Sequence, residues 1–265
     1  MFFSDKARAL TNPRLFSAFI NLRSFIKKSP FRCSYDSKLA IYKLRFGQEI
    51  RFASVNSRVL IYLEGFFERA NYIGNTYMLN LVKFNDGDLV VDCGANMGDL
   101  HLFLQRTHPK VNYIAFEANP NDFKCLVRNV GSENCQNIGL WNENGSIPFY
   151  VNDAHASSSF IQPPEFTDII EIPAATLGSL FPNEPIRLLK LEAEGAEPEV
   201  LQGSAPILHL VDYISADVGP ERGVHEEETR DYVVNFLEAA GFELVKENKG
   251  HRKIVLFRRM NLEEH

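Results

Sequence analysis

Leu89-Val90-Val91-Asp92-Cys93-Gly94-Ala95-Asn96-Met97-Gly98-Asp99-Leu100 decides how this chain is read. An apolar run ends in a carboxylate, passes through a turn with two glycines and enters a helix. A buried strand feeding a glycine turn and a helix N-terminus is the layout of a nucleotide-type cofactor site, where backbone comes close to the ligand. The next apolar run, Val111-Asn112-Tyr113-Ile114-Ala115-Phe116, ends in Glu117. An acid at the end of the second strand, about 20 residues on, is where a ribose diol is held. Together the two strand ends point to a cofactor with a ribose and a charged tail.

The chain's 265 residues suffice for one sizeable α/β domain and an appendage. Its 45% apolar and 23% charged residues are ordinary for a globular protein. The formal charge of −6 conceals an asymmetry: residues 1–60 hold 12 Lys+Arg against 3 Asp+Glu, the remainder 16 against 31. An acidic body argues against nucleic acid as a partner, because binding it needs a basic face. The basic arm suits an anionic membrane surface or a phosphorylated substrate; the plainer reading is a solvated helical arm packed on the acidic body. Cys33, Cys93, Cys125 and Cys135 form no CxxC pair and no zinc-type spacing, as expected of reduced thiols in a cytoplasmic protein. Cys93, inside the glycine turn, reads as small-residue packing. Asp5, Lys6 and Arg8 interrupt any signal-peptide-like stretch, and no run of about 18 apolar residues exists to span a bilayer.

Two regions are expected, a basic and mainly helical arm over 1–74 and a core over 75–265. In the arm, Leu15, Phe16, Phe19, Ile20 and Leu22 interleave with basic residues as in an amphipathic helix over 11–28, ended by Pro30. Residues 36–46 suggest a second short helix, and Val59-Leu60-Ile61-Tyr62-Leu63 fits a strand or a buried turn. A helix over 75–82 leads to the Asp86-Gly87 turn. From there strands (89–92, 111–117, 136–141, 186–191, 210–216) alternate with helices (98–106, 121–130, 196–203, 226–240). An inserted strand at 146–151 is followed by a loop over 152–165, and strands at 242–247 and 252–258 close the chain. Such alternation implies a doubly wound, mostly parallel sheet.

Three blocks in this order, Val91-Asp92-Cys93-Gly94-Ala95-Asn96-Met97-Gly98, Phe116-Glu117-Ala118-Asn119-Pro120 and Leu189-Lys190-Leu191-Glu192-Ala193-Glu194-Gly195-Ala196-Glu197, resemble the signature blocks of the FkbM-type S-adenosylmethionine-dependent methyltransferases. The resemblance covers roughly residues 75–260. It implies the Rossmann-like class I methyltransferase sheet, with seven strands completed by an antiparallel strand near the C-terminus. It also implies S-adenosyl-L-methionine as cofactor and methyl transfer to a hydroxyl, with a sugar in a glycan or a secondary metabolite as acceptor. Asp92, Gly94, Asn96, Gly98, Glu117 and Asn119 then fall at the cofactor. Asp92 is placed to receive the methionine ammonium as a charge-assisted hydrogen bond, Asn96 its amino-acid end, and Glu117 both ribose hydroxyls. Gly94 and Gly98 keep the turn clear of side chains.

The third block is the expected reaction face. Glu192 and Glu194 follow a strand end and, if extended, point to the same side. Aligning a hydroxyl and receiving its proton is work for such a carboxylate, although the family more often carries Asp at the position of Glu192. Asp217, at the end of the strand over 210–216, and His225 beyond it are further candidates for the base. Ser157-Ser158-Ser159 resembles a short serine-containing stretch that the family carries after the third strand; a pocket-lining segment and a plain polar loop are both open readings. No ligand set for a metal stands out. Two other readings are open: a non-catalytic scaffold recruited to membranes through residues 1–60, and an NAD-dependent enzyme. The spacing Asp-x-Gly-x-x-x-Gly lacks the middle glycine against which a pyrophosphate would press, which disfavours the latter. Oligomeric state is left open.

Overall fold

The computed structural model describes residues 11–152, 158–249 and 252–260. Asn12 caps the first helix, α1 (Pro13–Ile26), its Oδ1 accepting from the N–H groups of Arg14 and Leu15 at 3.0 and 3.2 Å. Phe16 and Ile20 are buried on one side of it, against β1 (Phe31–Asp36). The short helix expected over 36–46 is instead an antiparallel hairpin, β1 with β2 (Ile41–Phe46), continued by β3 (Glu49–Ala53). The reason is an Asx turn: Asp36 Oδ1 accepts from Lys38 and Leu39 N–H, and Ala40 sits at φ 55°, reversing the chain.

The ambiguous stretch around Val59 is a short helix, α2 (Asn56–Leu60), and the turn after it, with Val59 and Tyr62 buried. The next helix, α3 (Phe66–Thr76), takes residues 66–74 as well, and it ends where a helix over 75–82 was expected to begin. Met78, at φ 56°, stops helical continuation and leaves only a 3₁₀ turn over Leu79–Leu81.

The core sheet then forms around β4 (Leu89–Cys93). The chain passes through α4 (Asp99–Thr107) to β5 (Asn112–Phe116), and through α5 (Pro120–Val130) to β6 (Cys135–Gln136). The strand expected over 136–141 is split. Its second half, β7 (Gly139–Leu140), joins β8 (Gly145–Val151) and β9 (Asp168–Ala175) in a separate sheet. β9 is a strand that the sequence reading passed over. After α6 (Leu177–Leu180) the chain returns to the centre with β10 (Ile186–Leu191), then α7 (Glu197–Ser204) and β11 (Val211–Asp217). Gly203 does not end α7; it lies in it because a Cβ there would come 2.0 Å from the Trp141 carbonyl oxygen. Residues 226–228 are not helical. Glu227–Glu228 (β13) pairs with Pro220–Arg222 (β12) in a small hairpin, and α8 (Arg230–Ala239) starts after it. Two strands, β14 (Phe242–Lys249) and β15 (Lys253–Arg259), finish the sheet.

The order is β6-β5-β4-β10-β11-β15-β14, the first five parallel and β15 antiparallel to both of its neighbours. This is the class I methyltransferase sheet that the sequence resemblance implies. The chain leaves β4 toward β5 and later returns on the other side as β10, so a crevice opens above the ends of β4 and β10.

The arm is fastened to that crevice. Arg51 Nη2 donates to the Met97 and Gly98 carbonyls at 2.9 and 3.0 Å, and Asn129 brackets the Phe52 backbone at 2.8 and 3.0 Å. Arg69 Nε lies 2.6 Å from Asp99 Oδ2, beside the Tyr62 hydroxyl donating to Oδ1 of the same carboxylate. Phe16, Tyr42, Tyr62 and Phe66 share one buried cluster with Met97, Leu102 and Cys125.

The glycines of the turn answer to the protein's own packing. A Cβ on Gly94 (φ +69°) would sit 1.8 Å from the Glu192 carbonyl oxygen, and one on Gly98 (φ +82°) 2.6 Å from Val130. Gly47, at a similar φ of +63°, has nothing within 4 Å of that position. Gly47→Ala should therefore cost only the left-handed backbone term, about 1–2 kcal/mol. Gly94→Ala adds overpacking and should cost roughly 3 kcal/mol or more. Thermal melting of the two variants checks this; equal losses of Tm would remove the steric account.

Candidate functional site

Two adjoining cavities open at the ends of β4, β5 and β10, of about 630 and 360 Å³. Arg58, Gly94, Asn96 and Glu192 line both. The larger cavity includes space open to solvent. One part of its wall is apolar, from Phe116, Ile138, Leu140, Phe149 and Phe160; the other carries Glu117, Asn119, Ser158 and Glu194.

Glu117 stands one residue beyond β5. Its Oε2 accepts from Asn96 N–H at 2.7 Å and its Oε1 from Asn119 N–H at 2.8 Å. Each oxygen keeps a lone pair for a further donor. Burial, with the Asp122 carboxylate nearby, pushes Glu117 up to about 7 against the pull of those two N–H groups. Asn96 reaches its position with a left-handed backbone, φ 53°. Asn119 lines the cavity but is also the cap of α5, its Oδ1 accepting from Asn121 N–H at 2.9 Å and its Nδ2 donating to Ser158 Oγ at 3.1 Å. Of the serine stretch, Ser157 lies outside the described residues; Ser159 Oγ donates to the Glu194 carbonyl at 2.8 Å.

The second cavity is lined by Lys190, which stands between Leu189 and Leu191 in a fully buried strand whose other charged residue is Arg187. Lys190 Nζ lies 3.0 Å from Asp92 Oδ1 and 2.9 Å from Glu192 Oε2, and donates to the Gly94 carbonyl at 2.8 Å. Burial alone favours a neutral amine, but Asp92 and Glu192 hold it charged. Asp92 Oδ2 accepts from the Tyr113 hydroxyl at 2.7 Å, whereas Oδ1 has the ion-pair contact to Lys190 without hydrogen-bond geometry. Burial raises the Asp92 carboxyl, opposed by Lys190 and Tyr113.

The carboxylates of the third block diverge. Burial works to raise Glu192, yet Lys190 and Arg252 hold it well below the usual carboxylate range, with the Tyr77 hydroxyl donating to it as well. Glu194 is pushed up to about 8 by burial and by the neighbouring Glu192 charge. The two do not project from an extended segment as expected. β10 ends at Leu191, and Glu194 sits in a turn at φ 50°, yet both still line the larger cavity. That turn is held by Glu197, whose Oε1 accepts from Ala193 and Gly195 N–H at 2.9 and 3.3 Å while Thr229 Oγ1 donates to Oε2 at 3.0 Å. The hairpin β12–β13 packs over it, with Arg222 bidentate on Glu199 at 2.7 and 2.9 Å.

Asp217, at the end of β11, is buried; its Oδ1 accepts from Gly219 N–H at 3.1 Å and its Oδ2 lies 3.4 Å from Arg252 Nη1. Burial and the Glu192 charge raise its carboxyl. His225 is not brought to the others: it is exposed in the turn joining β12 to β13 and lines neither cavity. Glu221, beside that turn, is raised to about 10 by burial and by Glu194, Asp217 and Glu192. All four cysteines are free and buried, and burial pushes the Cys93 thiol up. Among the described residues no group of three or more His, Cys, Asp or Glu is placed to hold a metal, and no helix is long and apolar enough to cross a membrane.

Lys190, Arg58, Arg69, Tyr77 and Arg252 are the site residues that sequence reasoning missed. For Lys190 a signal existed, since a cation between Leu189 and Leu191 in a central strand requires charged partners. The others come from elements far apart in the chain, and no spacing announces them.

The chain is similar to a family of known proteins over much of its length. Residues 92–244 match the family described as methyltransferase FkbM domain. It is 25% identical over 169 residues to "Methyltransferase 1" of Beauveria bassiana, covering 52% of this chain and 66% of that protein. It is 24% identical over 208 residues to "Methyltransferase sdnD" of Sordaria araneosa, covering 63% of this chain and 78% of that protein. A crystal structure of methyltransferase FkbM from Methylobacillus flagellatus KT aligns at 15% identity and a TM-score of 0.47, covering 68% of this chain and 45% of the other. The chain thus spans just under two thirds of the first of these relatives and less than half of the aligned structure. The order of the three blocks, the sheet that carries them and the family match agree: the chain belongs to the FkbM methyltransferase family.

Proposed function

We propose that this chain binds S-adenosylmethionine and methylates a hydroxyl group, of a sugar in a glycan or of a secondary metabolite. The observation that carries the reading is one cavity lined by both Glu117, on the β5 side, and Glu194, on the β10 side, with apolar walls between. The residues present fit the cofactor. Glu117 keeps two acceptor positions suited to a ribose diol, and Phe149, Phe160 and Ile138 offer apolar surface. Asn96, Asp92 and Arg58 would face its amino-acid end, with Gly94 and Gly98 shaping the turn.

When bound, S-adenosylmethionine supplies a methyl group on a positively charged sulfur. The chain's own residues must then align the acceptor oxygen with that carbon and take the hydroxyl proton as the new C–O bond forms. Glu192, clamped by Lys190 and Arg252, is too weak a base for this and serves as a fixed anion. Glu194, raised to about 8, has a proton affinity matched to the task near neutral pH. Asp217 is occupied by Gly219 N–H and Arg252, and His225 lies outside the cavities. We therefore assign the proton to Glu194.

Two outcomes follow. Calorimetry with S-adenosylhomocysteine should show Glu117→Ala weakening binding by about ten- to a hundredfold, the loss of charge-assisted hydrogen bonds. An ionised carboxylate accepts from both ribose hydroxyls and a neutral acid does not, so affinity should rise as pH passes upward through about 7. Glu117→Gln should flatten that rise; equal affinity and an unchanged pH profile would sink the assignment. Glu117 is a cleaner target than Asp92, whose loss also unbalances Lys190.

For catalysis, methyl-labelled S-adenosylmethionine and a panel of sugar and polyol acceptors would give a working assay. The rate should climb to a plateau above about pH 8, where Glu194 is ionised. Glu194→Gln should lower kcat by roughly 10²–10⁴ while leaving cofactor binding near wild type. A Glu194→Gln enzyme that keeps the rate and its pH profile excludes Glu194 as the base.

A further inference from the structure

Helix α1 is apolar on two opposite faces, and among the described residues the fold buries only one. Phe16 and Ile20 are buried against β1, together with Ser17 and Ser24. The register is fixed by Asn21, whose Nδ2 donates to the Cys33 carbonyl at 2.8 Å and whose Oδ1 accepts from Cys33 N–H at 2.9 Å. Because β1 is the edge of its sheet, this pair also satisfies backbone groups that would otherwise be open. The helix cannot roll to bury its other side without breaking both bonds.

That other side carries Leu15, Leu22, Phe25 and Ile26, which are 61%, 57%, 76% and 69% exposed. Their spacing follows helical periodicity, and Phe19 between them is half-buried, packed in part against the inner cluster, so the stripe borders the buried face there. A 14-residue helix is about 21 Å long, so the stripe runs a distance comparable to a small domain's radius. Scattered exposed apolar residues need no explanation, but a contiguous row on one rigid helix marks an interaction surface. Exposed Arg14, Lys27 and Lys28 stand at its two ends, and residues 13–26 contain no Asp or Glu.

We propose that α1 docks this protein on an anionic lipid bilayer, with the stripe entering the headgroup–acyl boundary and the cations at the phosphates. An apolar face flanked by Lys and Arg is the pattern of interfacial helices, and a bilayer asks for no shape-matched groove. A second copy fits less well. A two-fold contact through the stripe brings each helix's cations near those of its partner, with no acid on either helix to offset them. The arm's excess of positive charge over an acidic body orients the molecule in the same sense, arm toward the membrane. The proposal is independent of the methyl-transfer reading.

Sedimentation of the full chain with phosphatidylcholine–phosphatidylglycerol vesicles tests it, with phosphatidylcholine vesicles alone as the comparison. The full chain should co-sediment with the anionic vesicles, far less with the neutral ones, and less as salt is raised. Leu22→Glu/Phe25→Glu should reduce partitioning about tenfold or more, through lost apolar insertion and added negative charge. Arg14→Gln/Lys27→Gln should remove the preference for the anionic lipid. Both variants change exposed side chains only, so melting and S-adenosylhomocysteine binding should stay at wild-type values and report intact folding. A wild-type chain that remains in the supernatant overturns the proposal, as does a Leu22→Glu/Phe25→Glu variant that sediments equally. A concentration-dependent dimer in ultracentrifugation, lost in that variant and without vesicle binding, would assign the stripe to self-association instead.

Discussion

A single buried ammonium ties the two central strands of the sheet together at the ends where the chemistry is expected. Lys190 and Asp92 are partners in the parallel register of β10 and β4, so their side chains leave the sheet on the same face. From there Lys190 meets Asp92, Glu192 and the Gly94 carbonyl, all within 3.0 Å. A charge taken out of water is costly unless it is compensated, and this one is compensated from both strands and from the glycine turn. Such a cluster adds little net stability over an apolar equivalent. It does fix the relative position of the turn and of the third block, because any slip would leave a buried charge without its counterion.

The same cations sort the carboxylates around the crevice. Glu192 lies within reach of Lys190 and Arg252 and stays ionised; Asp99 is held low by Arg69 and Arg51 despite its burial. Glu117, buried, and Glu194 and Glu221, half-buried, stand among other acids and are raised instead. Acids of one chemical type thereby acquire different proton affinities within one site, which is how a fold separates an electrostatic anchor from a proton acceptor.

The charge asymmetry of the chain follows from this arrangement. Arg51 and Arg58 from the arm, with Arg69 of α3, bring positive charge to the Asp99 and Asp122 carboxylates above the sheet. Residues 11–74 pack against the core sheet's helices, and Arg58 and Arg69 contribute to the cavity walls. What the site does not use, the outward face of α1 and its terminal cations, is left for a surface.

Sequence alone determined the elements whose pattern is local. The strand–acid–glycine turn at 89–98, the second acid Glu117 and the alternation of strands and helices could be read there, because buried strands and left-handed turns restrict residue type directly; that the closing strand runs antiparallel was implied by the family resemblance. The hairpin over 31–46 was misread as partly helical because an Asx turn at Asp36 outweighed local periodicity. The strand over 168–175 was passed over because it is mostly exposed and finds its partners in β8 and β7. Tertiary structure decided which charged groups meet. Tyr77, Lys190 and Arg252 come from distant parts of the chain, and it is their convergence on Glu192, through long-range packing, that sets it apart from Glu194. Proton affinity depends on distance to other charges and on exclusion of water, and neither is a property of neighbours in sequence.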